Sequence, residues 1–321
     1  MFNKKKHLIN ITIGIVVILT ALFFIKEFDS NIKSAQSLNL KYDFIQLTLA
    51  ILFLIITKII QSYEWYYFIN SISQSNKINF LDAIIITNST SMTKYLPGNI
   101  WEYALQIKWL GNHGFSKSSV LYVNLILIIF DYFIVMIVSF LLWLFINPFS
   151  NRLIMLLALM TFLIGDMIIL LFKKKLFHQI IRFTKKLVNK NIHYYDISIK
   201  SIIFIQFVHV VYLFLFGCGF YLICTGLGLE VSLTTVLKIY PAFLISTLIS
   251  MLIIIMPGGF GIREGSMYFI LVALISKSYA LIIPIALRIV QMVVELCMGL
   301  CSIVMLKKSF NNLKNMKRSV N

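Results

Sequence analysis

Apolar residues along this chain gather into long unbroken runs. They show neither the i, i+3, i+4 stripe of a half-buried helix nor the alternation of a half-buried strand. Eight runs stand out, at 8–25, 43–62, 118–146, 152–172, 200–224, 233–256, 266–283 and 284–306. Each has the roughly 18 or more residues that cross a hydrocarbon core of about 30 Å as a helix. With no water to satisfy the backbone at that depth, helices are the structure such runs form. The expectation is an all-α, polytopic transmembrane bundle of about eight spans plus one or two re-entrant or broken helices. It forms a single integral membrane domain over 1–321.

One segment breaks the pattern. FLDAIIITNSTSMTKYL, at 80–96, is helical in spacing but carries Asp82, Thr87, Asn88, Ser89, Thr90, Ser91, Thr93 and Lys94. That is poor material for a lipid-facing helix. Charge placement decides what it does. The loop 173–199 holds Lys173, Lys174, Lys175, Arg182, Lys185, Lys186 and Lys190 against the single acid Asp196. If 80–96 crosses and the N-terminus is inside, that loop falls outside, against the positive-inside rule. If 80–96 enters and returns as a re-entrant or protein-buried helix, Lys4–Lys6, the 173–199 loop and the basic tail 307–321 all lie in the cytoplasm. Both termini are therefore expected there, in a multi-pass protein of the plasma (inner) membrane. The N-terminal basic-then-apolar stretch has no small-x-small cleavage site after it and reads as a retained span.

The chain also divides into two halves of similar plan. After a first span and outer loop (1–42), the halves are 43–172 and 200–306, separated by the basic loop 173–199 and followed by the tail 307–321. Each half has a span, a hydroxyl-bearing segment, a Pro-Gly break and two further spans. The breaks are KYLPGNIWEYALQIKWL at 94–110 and IMPGGFGIREGSMYFIL at 255–271. Broken helices from repeated halves commonly meet at a transporter's binding site. An inverted pair, however, would leave 233–256 non-crossing and put the basic tail outside, and the tail's five basic residues argue against that.

Composition narrows the function classes. The 321 residues are 60% hydrophobic and 13% charged, with mean hydropathy +0.90, which leaves no room for a separate soluble domain. The net charge of +17 sits in flanks and loops, not in a nucleic-acid-binding pattern, and suits anionic headgroups. Cys218, Cys224, Cys297 and Cys301 fall inside apolar spans at non-ligand spacing, and the five histidines form no metal motif. No metal, cofactor or catalytic constellation is expected.

Candidate binding residues cluster at the breaks. Pro257 ends a helix, and Gly258, Gly259 and Gly261 let the backbone approach a ligand, leaving N–H groups and a helix dipole that favour an anion. Arg263 can grip a phosphate with two donors, and Glu264 can balance the dipole or pair with a cation. In the first break Lys94, Pro97, Gly98, Trp101 and Glu102 are the counterparts, with Lys94 and Lys108 placed to meet a headgroup. The plainer reading is a tight turn beside an interfacial ion pair. Within the spans, Asp131 and the i, i+3, i+7 face of Arg288, Gln291 and Glu295 are candidates because intramembrane polar groups are costly. That face suits either a functional stripe or a structural network. His209, on a face with Gln206, reads as a packing histidine before a proton relay. Lys58 and Glu64 read as snorkelling residues near the inner end of their span.

KYLPGNIWEYA followed by PGGFGIREG resembles the lysylphosphatidylglycerol synthase transmembrane region, also described as the flippase-like domain family, over about residues 40–306. Pro257, Gly258, Gly259, Gly261, Arg263 and Glu264 follow its P-G-G-x-G-x-R-E pattern, and Tyr95, Pro97, Gly98 and Trp101 follow the first motif. Where the family often carries a basic residue further on, this chain has Gln106, with Lys108 close by. In its best understood members the region is joined to a synthase portion and a cytosolic aminoacyltransferase domain, and moves the aminoacylated lipid between leaflets. The resemblance implies a stand-alone lipid-handling protein that translocates or binds an anionic phospholipid or a lipid-linked envelope precursor. Its partners would be membrane lipids and envelope biosynthesis proteins. The alternative is a membrane glycosyltransferase, with Glu264, Glu102 or Asp131 as base, or an accessory subunit of envelope glycan synthesis.

Overall fold

The structure, a computed structural model, describes residues 41–73, 77–95, 101–111, 113–146, 197–252 and 257–319. These form eight α-helices: α1 (Phe44–Ile72), α2 (Phe80–Ser91), α3 (Trp101–Gly111), α4 (Lys117–Ile146), α5 (Ile199–Gly226), α6 (Leu233–Leu252), α7 (Ile262–Leu271) and α8 (Lys277–Ser319). Short 3-10 turns at Met92–Tyr95 and Pro257–Gly259 precede α3 and α7. No strand occurs among the described residues. Five helices are long and apolar enough to cross a membrane: α1, α4 over Lys117–Leu142, α5, α6 over Leu233–Met251 and α8 over Lys277–Met305. The expected spans at 8–25 and 152–172, and nearly all of the basic loop 173–199, lie outside the described residues.

One division differs from the sequence reading. The expected spans 266–283 and 284–306 are in fact a short helix and one long one. α7 ends at Leu271, where Val272 and Ile275 donate back to Tyr268 and Leu271 carbonyls. Ser276 starts α8, its carbonyl accepting from Ala280 N–H at 2.9 Å, and Pro284 then sits inside the helix. Proline marked a boundary in the sequence, yet it lies two turns into α8, and the chain turned instead at the polar Ser276-Lys277-Ser278 stretch. The ten residues of α7 rise only about 15 Å.

The order of elements now repeats: a long helix, a shorter one, a break, a short helix and another long one (α1 to α4, then α5 to α8). The contacts repeat as well. α1 packs on α5, α4 packs on α6 and α8 packs on α2; exchanging the two sets turns each contact into another in the set. α1 and α5 run antiparallel. Leu47 lies against Gly226, Leu54 against Gly219, Glu64 against His209 and Tyr67 against Ser201. Two matching helices that lie antiparallel are related by a rotation about an axis perpendicular to both. For helices that cross a bilayer, that axis lies in the membrane plane. The α1–α5 pair therefore runs in the opposite senses that an inverted pair of halves requires, where the sequence argued for halves of the same sense. With one long helix after the second break in place of two, an inverted pair in which α6 matches a non-crossing α2 leaves the tail on the same side as the 173–199 loop.

Small residues set these approaches. A side chain at Gly226 would meet Leu47 at 3.0 Å, and one at Gly299 on α8 would overlap Met92 after α2. Helix α2 shows why its hydroxyls tolerate this depth. Thr87 and Thr90 donate to carbonyls one turn back, as Asn88 does through its amide. Ser62 on α1 bonds both Thr87 (2.7 Å) and Asn88 (3.2 Å). Gln106 on α3 bonds Thr90 and accepts from Asn124 on α4. The segment is enclosed by protein, as its composition demanded. Two apolar clusters flank it, one around Phe216, Phe220 and Phe243, the other around Trp65, Phe68 and Ile86.

Candidate functional site

The two breaks meet. Tyr95, which ends the first 3-10 turn, lies on Gly258 in the second, and its ring faces Phe260 at 6.1 Å. Gly258 and Gly259 adopt φ of 59° and 69°, where a side chain is strained, and both are crowded. A Cβ at Gly259 would stand 2.9 Å from Ser250 Cβ. The breaks therefore close on each other through glycine backbone, with an aromatic ring as the filler.

Beside this contact is a cavity of ≈570 Å³. Phe216, Phe243 and Met251 form part of its apolar wall; Lys58, Lys94, Arg263, Arg288, Gln291, Glu102 and Glu295 reach it with charge or amide. The Arg288–Gln291–Glu295 face of α8 thus points inward, and both breaks contribute. Glu295 accepts from Lys94 at 2.6 Å and stands 3.2 Å from Lys58, and the Tyr95 hydroxyl donates to it as well. Arg288 stands 3.4 Å from the Glu264 carboxylate, donates to the Gly258 carbonyl at 2.8 Å and covers Phe260.

Arg263 is different. It donates to the Gln291 amide oxygen and lies 4.7 Å over the Phe243 ring, but no carboxylate is within ion-pair reach among the described residues. Four basic side chains line the cavity. Glu102 and Glu295 line it too, and Glu264 stands behind Arg288, so one positive charge is left over. Burial pushes the Glu102 carboxyl above the usual carboxylate range. It also holds the Lys94 ammonium below the usual lysine range, against the pull of Glu295.

The sequence placed the anion at the N–H groups of the helix start after Gly259, and one of these, that of Gly261, is occupied. Glu264 turns back to accept from the Gly261 N–H at 2.7 Å, capping α7 with the chain's own carboxylate. Positive side chains also reach the cavity: Lys58, Lys94, Arg263 and Arg288. Trp101 is on the exposed side of α3. Pro97 and Gly98 lie outside the described residues, and the side chain of Pro257 is not among those described. Gln106 is buried in the α2–α3–α4 hydrogen-bond chain and Lys108 is exposed, away from the cavity lining.

Two residues were misread from sequence. Lys58 is not a snorkelling residue but shares Glu295 with Lys94 at the cavity. Glu64 is buried beside His209, and Asp131 approaches the same ring, so neither carboxylate is alone. The signal available was helical phase: Lys58, Gln61 and Leu54 recur on one face of α1 and line one wall. The four cysteines are free thiols.

The sequence model of one family, described as the lysylphosphatidylglycerol synthase TM region, matches residues 11–299. No curated protein and no solved structure matches the chain.

Proposed function

The chain belongs to the lysylphosphatidylglycerol synthase TM region family, and from that premise we propose that it translocates an anionic lipid. The cavity between the two breaks takes the headgroup phosphate of a phospholipid or of a lipid-linked envelope precursor. The observation that carries this reading is Arg263, a cation inside an apolar bundle held by an amide and a ring rather than by a carboxylate. Arg263 is half-buried at the cavity with no paired carboxylate among the described residues, and a phosphodiester supplies one negative charge in a form that a guanidinium grips with two donors.

The inverted arrangement supports movement rather than static binding. Related halves of opposite orientation present the same cavity to either leaflet by rocking against each other. The halves arise by internal duplication, and with α6 re-entrant like its counterpart α2, the span α8 carries the basic tail to the cytoplasmic side along with the 173–199 loop. Four basic side chains line the cavity together with Phe216, Phe243 and Met251, whose apolar surfaces suit acyl or polyprenyl carbon.

The test is leaflet exchange of fluorescent phosphatidylglycerol, or of a polyprenyl phosphate, in proteoliposomes. Exchange that depends on the protein and is lost with Arg263→Ala supports the reading. Exchange unaffected by that change sinks the site. No exchange with any lipid, together with sugar transfer in extracts, selects the enzyme reading, in which Glu102 is the carboxylate at the cavity that no ion pair holds among the described residues.

A further inference from the structure

Behind the cavity wall, three helices bring together a second polar group that none of the cavity's ion pairs uses. Glu64 comes from α1, Asp131 from α4 and His209 from α5. His209 Nδ1 is 3.1 Å from Asp131 Oδ1 and 3.3 Å from Glu64 Oε2, and the three atoms lie within 4.8 Å of one another. Glu64 and His209 are 4% exposed, whereas the Asp131 side chain is 24% exposed. Two polar atoms in the group, Glu64 Oε1 and His209 Nε2, are buried with no hydrogen-bond partner. His209 is ten residues, roughly 15 Å of helix, from the Ile199 end of α5, near the middle of that span.

The charge balance is decisive. With a neutral ring and both carboxylates ionised, the cluster carries two negative charges at membrane depth. No lysine or arginine pairs with Glu64 or Asp131 among the described residues. The other titratable groups within reach are Tyr103 on α3, Tyr132 on α4 and Tyr212 on α5; Lys58 on α1 and Glu295 on α8 are committed to each other. Two carboxylates facing one ring nitrogen at membrane depth favour holding a proton between them, and that proton leaves only when the more exposed one, Asp131, is hydrated. A divalent metal on Nδ1 would leave an N–H on Nε2, a buried donor with no acceptor, which is costly. A proton avoids this. A neutral ring with its hydrogen on Nδ1 donates to one carboxylate, leaves only a lone pair at Nε2, and lets the second carboxyl hold the extra proton.

The cluster borders the cavity through the neighbours of two of its members. Asp131 is the exposed member, and its neighbour Tyr132 lines the cavity. The His209 ring lies 5.3 Å from that of Tyr212, which lines it too. Glu64 and Asp131 belong to the first set of helices and His209 to the second, so a proton here bridges the two halves.

We propose that Glu64, Asp131 and His209 form an intramembrane proton-binding site, loaded and unloaded through Asp131, that couples proton movement to the lipid translocation proposed above. The coupling rests on that reading; the proton site does not. On unloading, the Asp131 carboxyl releases H⁺ to water at its exposed face and is left as a carboxylate facing the His209 Nδ1–H. On loading it is protonated again, with no other bond made or broken.

The test uses the full-length protein in phosphatidylglycerol-containing vesicles. Infrared difference spectra recorded between about pH 5 and about pH 9 should show a protonated-carboxyl band in the wild type that disappears in Asp131→Asn. Glu64→Gln provides an independent variant should Asp131→Asn fail to fold. Carboxylates that stay ionised throughout in the wild type overturn the site. One equivalent of divalent metal in the wild type, absent from Asp131→Asn, overturns it in favour of a metal centre. Coupling is read separately, as the leaflet distribution of fluorescent phosphatidylglycerol under an imposed pH gradient. One proton per lipid shifts the steady-state ratio up to about tenfold per pH unit. A ratio indifferent to the gradient overturns coupling. If no lipid moves at all, the translocation reading fails while the infrared result still decides the proton site.

Discussion

Tyr95 and Gly258, 163 positions apart in the sequence, touch at the meeting of the two breaks: a Cβ on Gly258 would lie 2.9 Å from Tyr95 Cδ1 and 3.2 Å from an Arg288 nitrogen. The contact joins the two sets of helices at the cavity, and it fixes what each break can tolerate.

Gly258→Ala meets both obstacles at once, a φ of 59° and a crowded Cβ. The expected loss is about 1–3 kcal/mol, seen as a lower unfolding midpoint in detergent. A midpoint equal to wild type would show that the breaks do not close on each other as described.

Glu295→Gln leaves Lys58 and Lys94 facing each other with no carboxylate between them. Breaking a buried pair costs roughly 3–5 kcal/mol; the lysines are about a quarter exposed, which puts the expected loss at the lower end. Adding Lys94→Met to Glu295→Gln should recover part of it. The measurement is again the unfolding midpoint, and failure of the double variant to gain anything would contradict the pairing.

Arg263→Ala should separate binding from folding. Because Arg263 holds no carboxylate among the described residues, its removal strands no acid, and the unfolding midpoint should stay close to wild type. Binding of an anionic lipid should fall about 10- to 100-fold, the worth of one charge-assisted contact. Arg263→Lys should recover only part of this, since an ammonium lacks the two-pronged geometry. Titration with a fluorescent phosphatidylglycerol reads all three.

Sidedness follows from the inverted pairing, in which α6, like α2, enters and returns, so that only α5 and α8 cross between Asn189 and Ser319. Cysteines placed at Asn189 and Ser319, in a background lacking Cys218, Cys224, Cys297 and Cys301, should both be labelled by a membrane-impermeant thiol reagent only from the cytoplasmic side. Labelling of Ser319→Cys from outside would mean that α8 does not end in the cytoplasm.

Much of the fold was legible because its signals are local. Run length gave α1, α4 and α5, and the hydroxyls of 80–96 marked a segment that has to be enclosed by protein. The Pro-Gly pairs located both breaks, and the spacing of Arg288, Gln291 and Glu295 gave the inward face of α8. What was not legible depends on partners remote in sequence. Glu64 and Lys58 both looked like residues reaching for an interface, and only the positions of His209 and Glu295 show otherwise. The split at 284 failed because proline is tolerated where neighbouring helices satisfy the freed carbonyl, so Pro284 carried less information than Ser276. The capping of α7 by Glu264 was in the sequence as an acid three residues after Gly261. It was read as a balance for the dipole, and its geometric claim on the Gly261 N–H went unseen.

The packing of α2 against α8 has a consequence for biosynthesis. A ribosome delivers Asn88 and Met92 to the membrane some 200 residues before Gly299 exists to cover them. For that interval a helix rich in hydroxyl groups waits with one flank open, relying on its bonds to Ser62 and its own carbonyls. A chain stopped after Ser276 never closes that flank. Such a truncated chain is expected to be cleared by quality-control proteolysis faster than the full-length protein in a pulse-chase, and equal lifetimes would contradict the dependence. Among the described helices the latest made, α8, is the one that shelters α2.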